Sequence, residues 1–100
     1  MDISTKLDDT KATLVVAGKM TVQTSPDLEA AVGKLDLSTH DVDIDLAQVS
    51  YISSAGLRVL VATQKLVTRN GKQMRLLHAC DEVMEVFEMT GLSEVFVIEQ

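Results

Sequence analysis

The stretch "DVDIDLAQV", Asp41 to Val49, opens on a strict alternation, with Val42, Ile44 and Leu46 set against Asp41, Asp43 and Asp45. Successive side chains of a strand point to opposite faces, so one face here is apolar and the other acidic. A parallel strand covered on both sides reads instead as a continuous apolar run. The pattern predicts a sheet that carries its helices on one face and is bare on the other, at least near this strand. The three aspartates are expected to be solvated on that bare face.

The flanking segments extend the plan. Asp2 to Leu7 reads as a strand that turns at Asp8–Lys11 into a second, "ATLVVAG", and so short a polar link suits an antiparallel hairpin. In "TSPDLEAAVGKL", Ser25 can cap a helix, Pro26 suits its first position, and Asp27 and Glu29 favour its positive end. Leu28, Ala31, Val32 and Leu35 then recur at helical spacing as one buried stripe. A second helix is expected from about Ser54 to Arg69, and "RNGK" turns the chain into a strand, "QMRLLHA". Asp81 is placed to cap a third helix that turns Val83, Val86 and Phe87 inward, Gly91 to end it, and "SEVFVIE" to form a last strand. The order β-β-α-β-α-β-α-β predicts an α/β or α+β fold, a mixed sheet with helices mainly on one face, in a single domain over residues 1–100.

Composition narrows the function classes. With 46% hydrophobic residues the chain can build a core without metal or disulfide staples, and with Tyr51, Phe87 and Phe96 as its only aromatics that core must be aliphatic. A net charge of -6 argues against nucleic acid, because phosphate binding needs a basic face. Cys80 stands alone and suits a reducing cytosol. The start "MDISTKLDDTK" has no basic n-region or apolar h-region, and no apolar run approaches the roughly 20 residues that span a bilayer. A cytoplasmic chain without membrane insertion is expected.

"VSYISSAGLRVL", Val49 to Leu60, begins as the end of a strand and finishes as an amphipathic helix, with two serines at the joint. At about 100° per residue from Ser54, the residues Val59, Leu60, Thr63, Leu66 and Val67 cluster on the far side toward the sheet. Arg58, Val61 and Lys65 return to the near side in one column above Ser54. Ser54 thus begins a solvent-facing ridge. One serine is accounted for by capping, worth about 1 kcal/mol. A nucleophilic serine is disfavoured: the G-x-S-x-G elbow is missing, and the only histidines, His40 and His78, lie in a loop and at a strand end. A third reading makes Ser54 a phosphate acceptor, since a helix N-terminus tolerates the added charge while an apolar or acidic partner surface would not.

Other chemistry finds little footing. Asp41, Asp43 and Asp45 match the first acidic places of an EF-hand, but Leu46 and Ile52 occupy its glycine and glutamate places. A receiver domain would need an acidic pair after its first strand and a late lysine, whereas Asp8–Asp9 is a hairpin tip and no lysine follows Lys72. The glycines form no phosphate cradle; Gly56 is expected to let the first helical turn approach a neighbouring backbone. Cys80 and Met84 read as core filler. No cofactor, no metal and no enzymatic activity are expected.

"VSYISSAGLRVL" resembles the signature of STAS domains, specifically the anti-sigma factor antagonists, and the element order and "TGLSEVF" are similar to that family as well. The resemblance spans essentially the whole chain, although the family's usual final helix is missing after Ile98. It implies a bacterial partner-switching regulator. The unphosphorylated form binds an anti-sigma factor that is also a serine kinase, phosphorylation of Ser54 ends the complex, and a serine phosphatase resets it. It also implies a partner face made of Thr21, Val22, Gln23, Thr24, Ser53, Ser54, Arg58, Val61 and Lys65, the Thr21–Thr24 loop lying beside Ser54 because both loops follow neighbouring strands. Two positions that are often aspartate in the family are Thr21 and Ser53 here. The alternative is a STAS subunit that docks constitutively onto a transporter or other regulatory complex, with Ser54 serving as contact and cap.

Overall fold

The hairpin and the helices fix one five-stranded sheet, in the order β1-β2-β3-β4-β5, in a computed structural model that describes residues 1–100. β1 (Asp2–Leu7) and β2 (Lys11–Met20) pair antiparallel. Their turn is held by the Asp8 carboxylate, which accepts the Thr10 and Lys11 N–H groups at 2.8 and 2.7 Å. Those two bonds keep the Asp8 carboxyl below the usual range.

β2, β3 (Asp41–Ile52), β4 (Met74–Leu77) and β5 (Val97–Glu99) are parallel, joined by α1 (Ser25–Gly33), α2 (Ser54–Arg69) and α3 (Asp81–Met89). The order advances one strand at a time in one direction, so right-handed crossovers put all three helices on the same face. Ala12, Leu14 and Val16, then Val42, Ile44 and Leu46, then Met74 and Leu76 are buried beneath them. The interleaved rows, Thr13–Asp43–Arg75 and Val15–Asp45–Leu77, lie on the other face. The alternation of "DVDIDL" thus reports a sheet covered on one side.

Asp43 corrects the expectation of solvated aspartates, for it is only 4% exposed. Arg75 grips it with Nε on Oδ1 at 2.9 Å and Nη2 on Oδ2 at 2.6 Å, and Lys11 Nζ lies 3.3 Å from Oδ2. Arg75 also reaches Glu99 at 2.9 Å, so one charged lattice crosses β2, β3, β4 and β5. Burial pushes the Asp43 carboxyl up, but the hydrogen bonds and charges of Arg75 and Lys11 outweigh it and hold the group below its ordinary value. The other two aspartates have local tasks. Asp41 accepts the Gln73 N–H, and Asp45 accepts the Ala47 N–H where the β2–β3 register slips.

Several element ends differ from the sequence reading. Thr24, not Ser25, precedes α1, and its hydroxyl donates to Lys19 O instead of capping the helix. Ser25 is the first helical residue, and its buried hydroxyl donates to Thr21 O. Cys80 occupies the capping position of α3 without capping it, its Sγ donating instead to Val49 O at 3.5 Å, and Asp81 is already helical. The end of α3 agrees with that reading: Gly91 follows the Thr90 cap with a left-handed φ of 77°. "SEVFVIE" is not one strand: a 3-10 turn, Leu92–Glu94, precedes β5. Phe96 packs inward after the turn and meets Phe87 edge to face at 5.4 Å.

Candidate functional site

β2 and β3 finish together, with Met20 and Ile52 as their last register partners. Immediately beyond, the Ser53 N–H donates to Met20 O at 2.8 Å. This bond ties the loop before α1 to the loop before α2. Ser53 is extended, and its Oγ accepts the Gly56 N–H at 3.2 Å while its carbonyl accepts the Leu57 N–H at 3.0 Å. Ser53 is therefore the cap.

Ser54 is left over. It is the first residue of α2, it is exposed, and its hydroxyl makes no hydrogen bond within the protein. Of the four N–H groups that a helix start leaves open, that of Ser53 donates to Met20 O, that of Gly56 donates to Ser53 Oγ, and those of Ser54 and Ala55 stay free. The two serines divide the work: one closes the helix, the other stands in water on its positive end.

Gly56 has a different neighbour from the one expected. A Cβ there would lie 2.7 Å from Met20 Sδ and 3.0 Å from Ile52 Cγ1, so the close approach is to side chains and not to backbone. The missing side chain seats the first turn of α2 directly on the end of β2.

The loop ahead of α1 is fastened by its two threonines. Thr21 N–H donates to Thr24 Oγ1 at 2.8 Å and Thr24 N–H donates to Thr21 Oγ1 at 3.2 Å. Between them Val22, 65% exposed, and Gln23 project from the tip. Val22 and Pro26 share a recess of about 230 Å³ with Ala55, Arg58 and Val59, which brings the two loops and the first turn of α2 to one spot.

The face of α2 is rotated from the sequence expectation. Gly56, Leu57, Leu60, Thr63 and Val67 are buried, whereas Leu66 is 41% exposed and Val59 half-buried. The buried arc is not diametrically opposite Ser54, and Ala55, Ala62 and Leu66 face the recesses between α2 and α1 without being sealed there. Arg58 and Lys65 stand outside, but Val61 is half-buried against the core, on the shoulder of the ridge and not its crest. Tyr51, absent from the expected set, is 50% exposed opposite Lys19 in register, three residues before Ser54. Its signal in the sequence is its isolation: the only tyrosine ends the strand that leads to the serines.

No group of three or more His, Cys, Asp or Glu side chains is arranged to hold a metal ion, and no helix is long and apolar enough to cross a membrane. The site offers a hydroxyl, a short cationic ridge and two exposed apolar side chains, a set suited to contact and charge.

Residues 3–99 match the family described as "Mlab, STAS domain". The chain belongs to the STAS domain family. Relatives named anti-sigma factor antagonists are among the proteins it is similar to. The anti-sigma-B factor antagonist of Staphylococcus epidermidis is 32% identical over 101 residues, a match covering 100% of this chain and 94% of the relative. An anti-sigma factor antagonist of Mycobacterium paratuberculosis superposes with a TM-score of 0.86 at 24% identity, covering 98% of this chain and 84% of that one. The anti-sigma factor antagonist SpoIIAA is similar in two states. Its unphosphorylated form has a TM-score of 0.80 at 12% identity, covering 99% of this chain and 89% of that one. The Bacillus SpoIIAA in phosphorylated form has a TM-score of 0.75 at 11% identity, covering 99% of this chain and 92% of that one. These structural likenesses bear on the fold.

Proposed function

We propose that this chain is a non-enzymatic anti-sigma factor antagonist that binds an anti-sigma factor with serine-kinase activity, and that phosphorylation of Ser54 ends the complex. One observation carries the reading: Ser54 is free and exposed at the start of a 16-residue helix whose capping is done by Ser53. Support also comes from relatives named anti-sigma-B factor antagonists and from a structural neighbour that exists in a phosphorylated form.

The physics favours a switch by charge. A phosphoserine carries close to two negative charges at neutral pH. On Ser54 it would meet the free N–H groups of Ser54 and Ala55 and the positive end of α2, so the fold tolerates it. Arg58 follows one turn later and can fold back on the phosphate. The modification then adds negative charge to the contact face and withdraws a cation from it. A serine phosphatase restores the binding form. The contact face comprises Thr21, Val22, Gln23, Thr24, Ser53, Ser54, Arg58, Val61 and Lys65, with Tyr51 at its edge.

The test uses a purified anti-sigma factor with serine-kinase activity as the partner. Ser54→Ala should bind as tightly as the parent and take no phosphate from the kinase, while Ser54→Asp should weaken binding about tenfold or more with an unchanged melting temperature. Full affinity in Ser54→Asp overturns the reading. A second reading, constitutive docking, is favoured by Thr21 and Ser53, whose hydroxyls are both engaged within the protein. Tight binding without phosphate incorporation at Ser54 selects it.

A further inference from the structure

β1 is an open edge of the sheet. Asp2 and Ser4 to Leu7 are exposed, the register with β2 has no bulge, and the strand has no proline. Edges are commonly blunted by shortness, as at the three-residue β5 on the other side, or by bulges, prolines and covering segments. β1 has none of these. Across the hairpin turn the Asp8 N–H donates to Lys11 O, and antiparallel pairing alternates from there. Ser4 and Lys6 therefore bond to β2, while Ile3, Thr5 and Leu7 turn their N–H and C=O groups outward. Leu7, paired with the buried Ala12 on the helix-covered side, is 64% exposed.

The strand is complementary to itself about Ser4. Asp2 and Lys6 flank Ser4 at equal distance on the bare side of the sheet, and neither joins an ion pair. Laid antiparallel on a second β1 with Ser4 at the two-fold axis, Asp2 faces Lys6 of the second copy and Lys6 faces its Asp2. On the covered side Ile3 falls opposite Thr5, and Leu7 opposite Met1, which is half-buried against the core. The outward groups suit this register, because Ile3 and Thr5 then exchange hydrogen bonds while Ser4 meets Ser4 between them. Other registers fit worse. An axis at Thr5 sets Asp2 against Asp8, a like-charge pair, and an axis between two residues turns outward groups against inward ones.

We infer that β1 pairs antiparallel with β1 of a second copy, Ser4 on the axis, so that two five-stranded sheets join edge to edge. A second copy is the occupant because the one strand supplies both members of each ion pair. The ladder is short and falls below the roughly 1,200 Å² of stable interfaces, so a weak dimer is expected, with a Kd above about 1 µM. The axis stands perpendicular to the sheet, which keeps the helices of both copies on one side and points their Ser54 ends in opposite directions. The inference does not rest on the proposed role of Ser54.

Sedimentation velocity of the full chain, any affinity tag kept at the C-terminus, should show a monomer–dimer equilibrium between about 10 µM and 1 mM. Asp2→Lys and Lys6→Asp, both at exposed positions, should each weaken the dimer about tenfold or more without altering the melting temperature, since each sets like charges across both pairs. Mixed in equal amounts, the two variants should associate again, because each then meets the opposite charge in the other. In the parent chain, amide exchange at Ile3, Thr5 and Leu7 should slow as the dimer forms. A chain that stays monomeric at about 1 mM overturns the inference, whatever extended segment of another protein the edge then accepts. Dimers that both variants leave intact, or variants that fail to associate on mixing, overturn it as well. So does tighter association of Asp2→Lys alone, which would mark the Thr5 axis and its contact with Asp8. None of these outcomes bears on phosphate labelling of Ser54.

Discussion

Asp43 and Ser54 stand near opposite ends of one stretch of chain, and the protein treats them in opposite ways. Asp43 is a charge drawn out of water and answered on both sides, by Arg75 from β4 and Lys11 from β2. Ser54 is a neutral hydroxyl left in water and answered by nothing. A polar group whose partners are all internal belongs to the fold, because removing a partner leaves the rest unsatisfied. A polar group without internal partners can be changed freely and is available to something outside. The pairing of Ser53 with Ser54 repeats the contrast one residue apart: identical side chains, one bound to Gly56 N–H and one free.

The contrast can be broken by mutation. The largest effect is expected from Asp43→Ala, which leaves Lys11 unpaired and Arg75 with Glu99 alone; because both partners are partly exposed, the loss should be about 2 kcal/mol, below that of a fully buried pair. In a chain of this size that lowers the melting temperature by about 10 °C, and a change under a few degrees would show the lattice to be ornamental. Part of the same loss needs no mutation. Asp43 titrates below its ordinary 3.8 when folded, so its contribution is complete above that pH and fades as pH falls through the folded value. Acid unfolding should therefore steepen below about pH 4, and Asp43→Asn should flatten that limb.

Ser53→Ala should cost about 1 kcal/mol by removing the cap, read as a shift in the denaturation midpoint at constant slope. Ser54→Asp should move stability least, within about 0.5 kcal/mol and toward stabilisation, because negative charge suits the start of α2. Equal losses at the two serines would erase the distinction between them.

How much of this could be read beforehand follows the range of the interactions. The bounds of α2, the hairpin and the covered-versus-bare sheet are local periodicities, and the sequence pattern carries them. The burial of Asp43 is not local: its partner Arg75 lies 32 residues away, and alternation reports only that both face the same side. The rotation of α2 has the same origin, since angles about one helix cannot show which flank faces the recesses beside α1 and leaves Leu66 half in the open. Phe96 drew a strand assignment from its apolar neighbours, whereas its place is set by Phe87. The separation of Ser53 from Ser54 was partly visible. Two serines at a strand-to-helix joint pose the question, and only the hydrogen bond to Gly56 answers which of them is the cap.

The bond from Ser53 N–H to Met20 O has a kinetic consequence. It ties the loop before α1 to the loop before α2, just beyond the ends of two buried strands. Under the proposed switch, a phosphate on Ser54 would act on the companion through its charge, with no refolding step in either direction. The tempo of any response would then belong to the enzymes that add and remove the mark and to the dwell time of the companion, and the domain itself would contribute no memory.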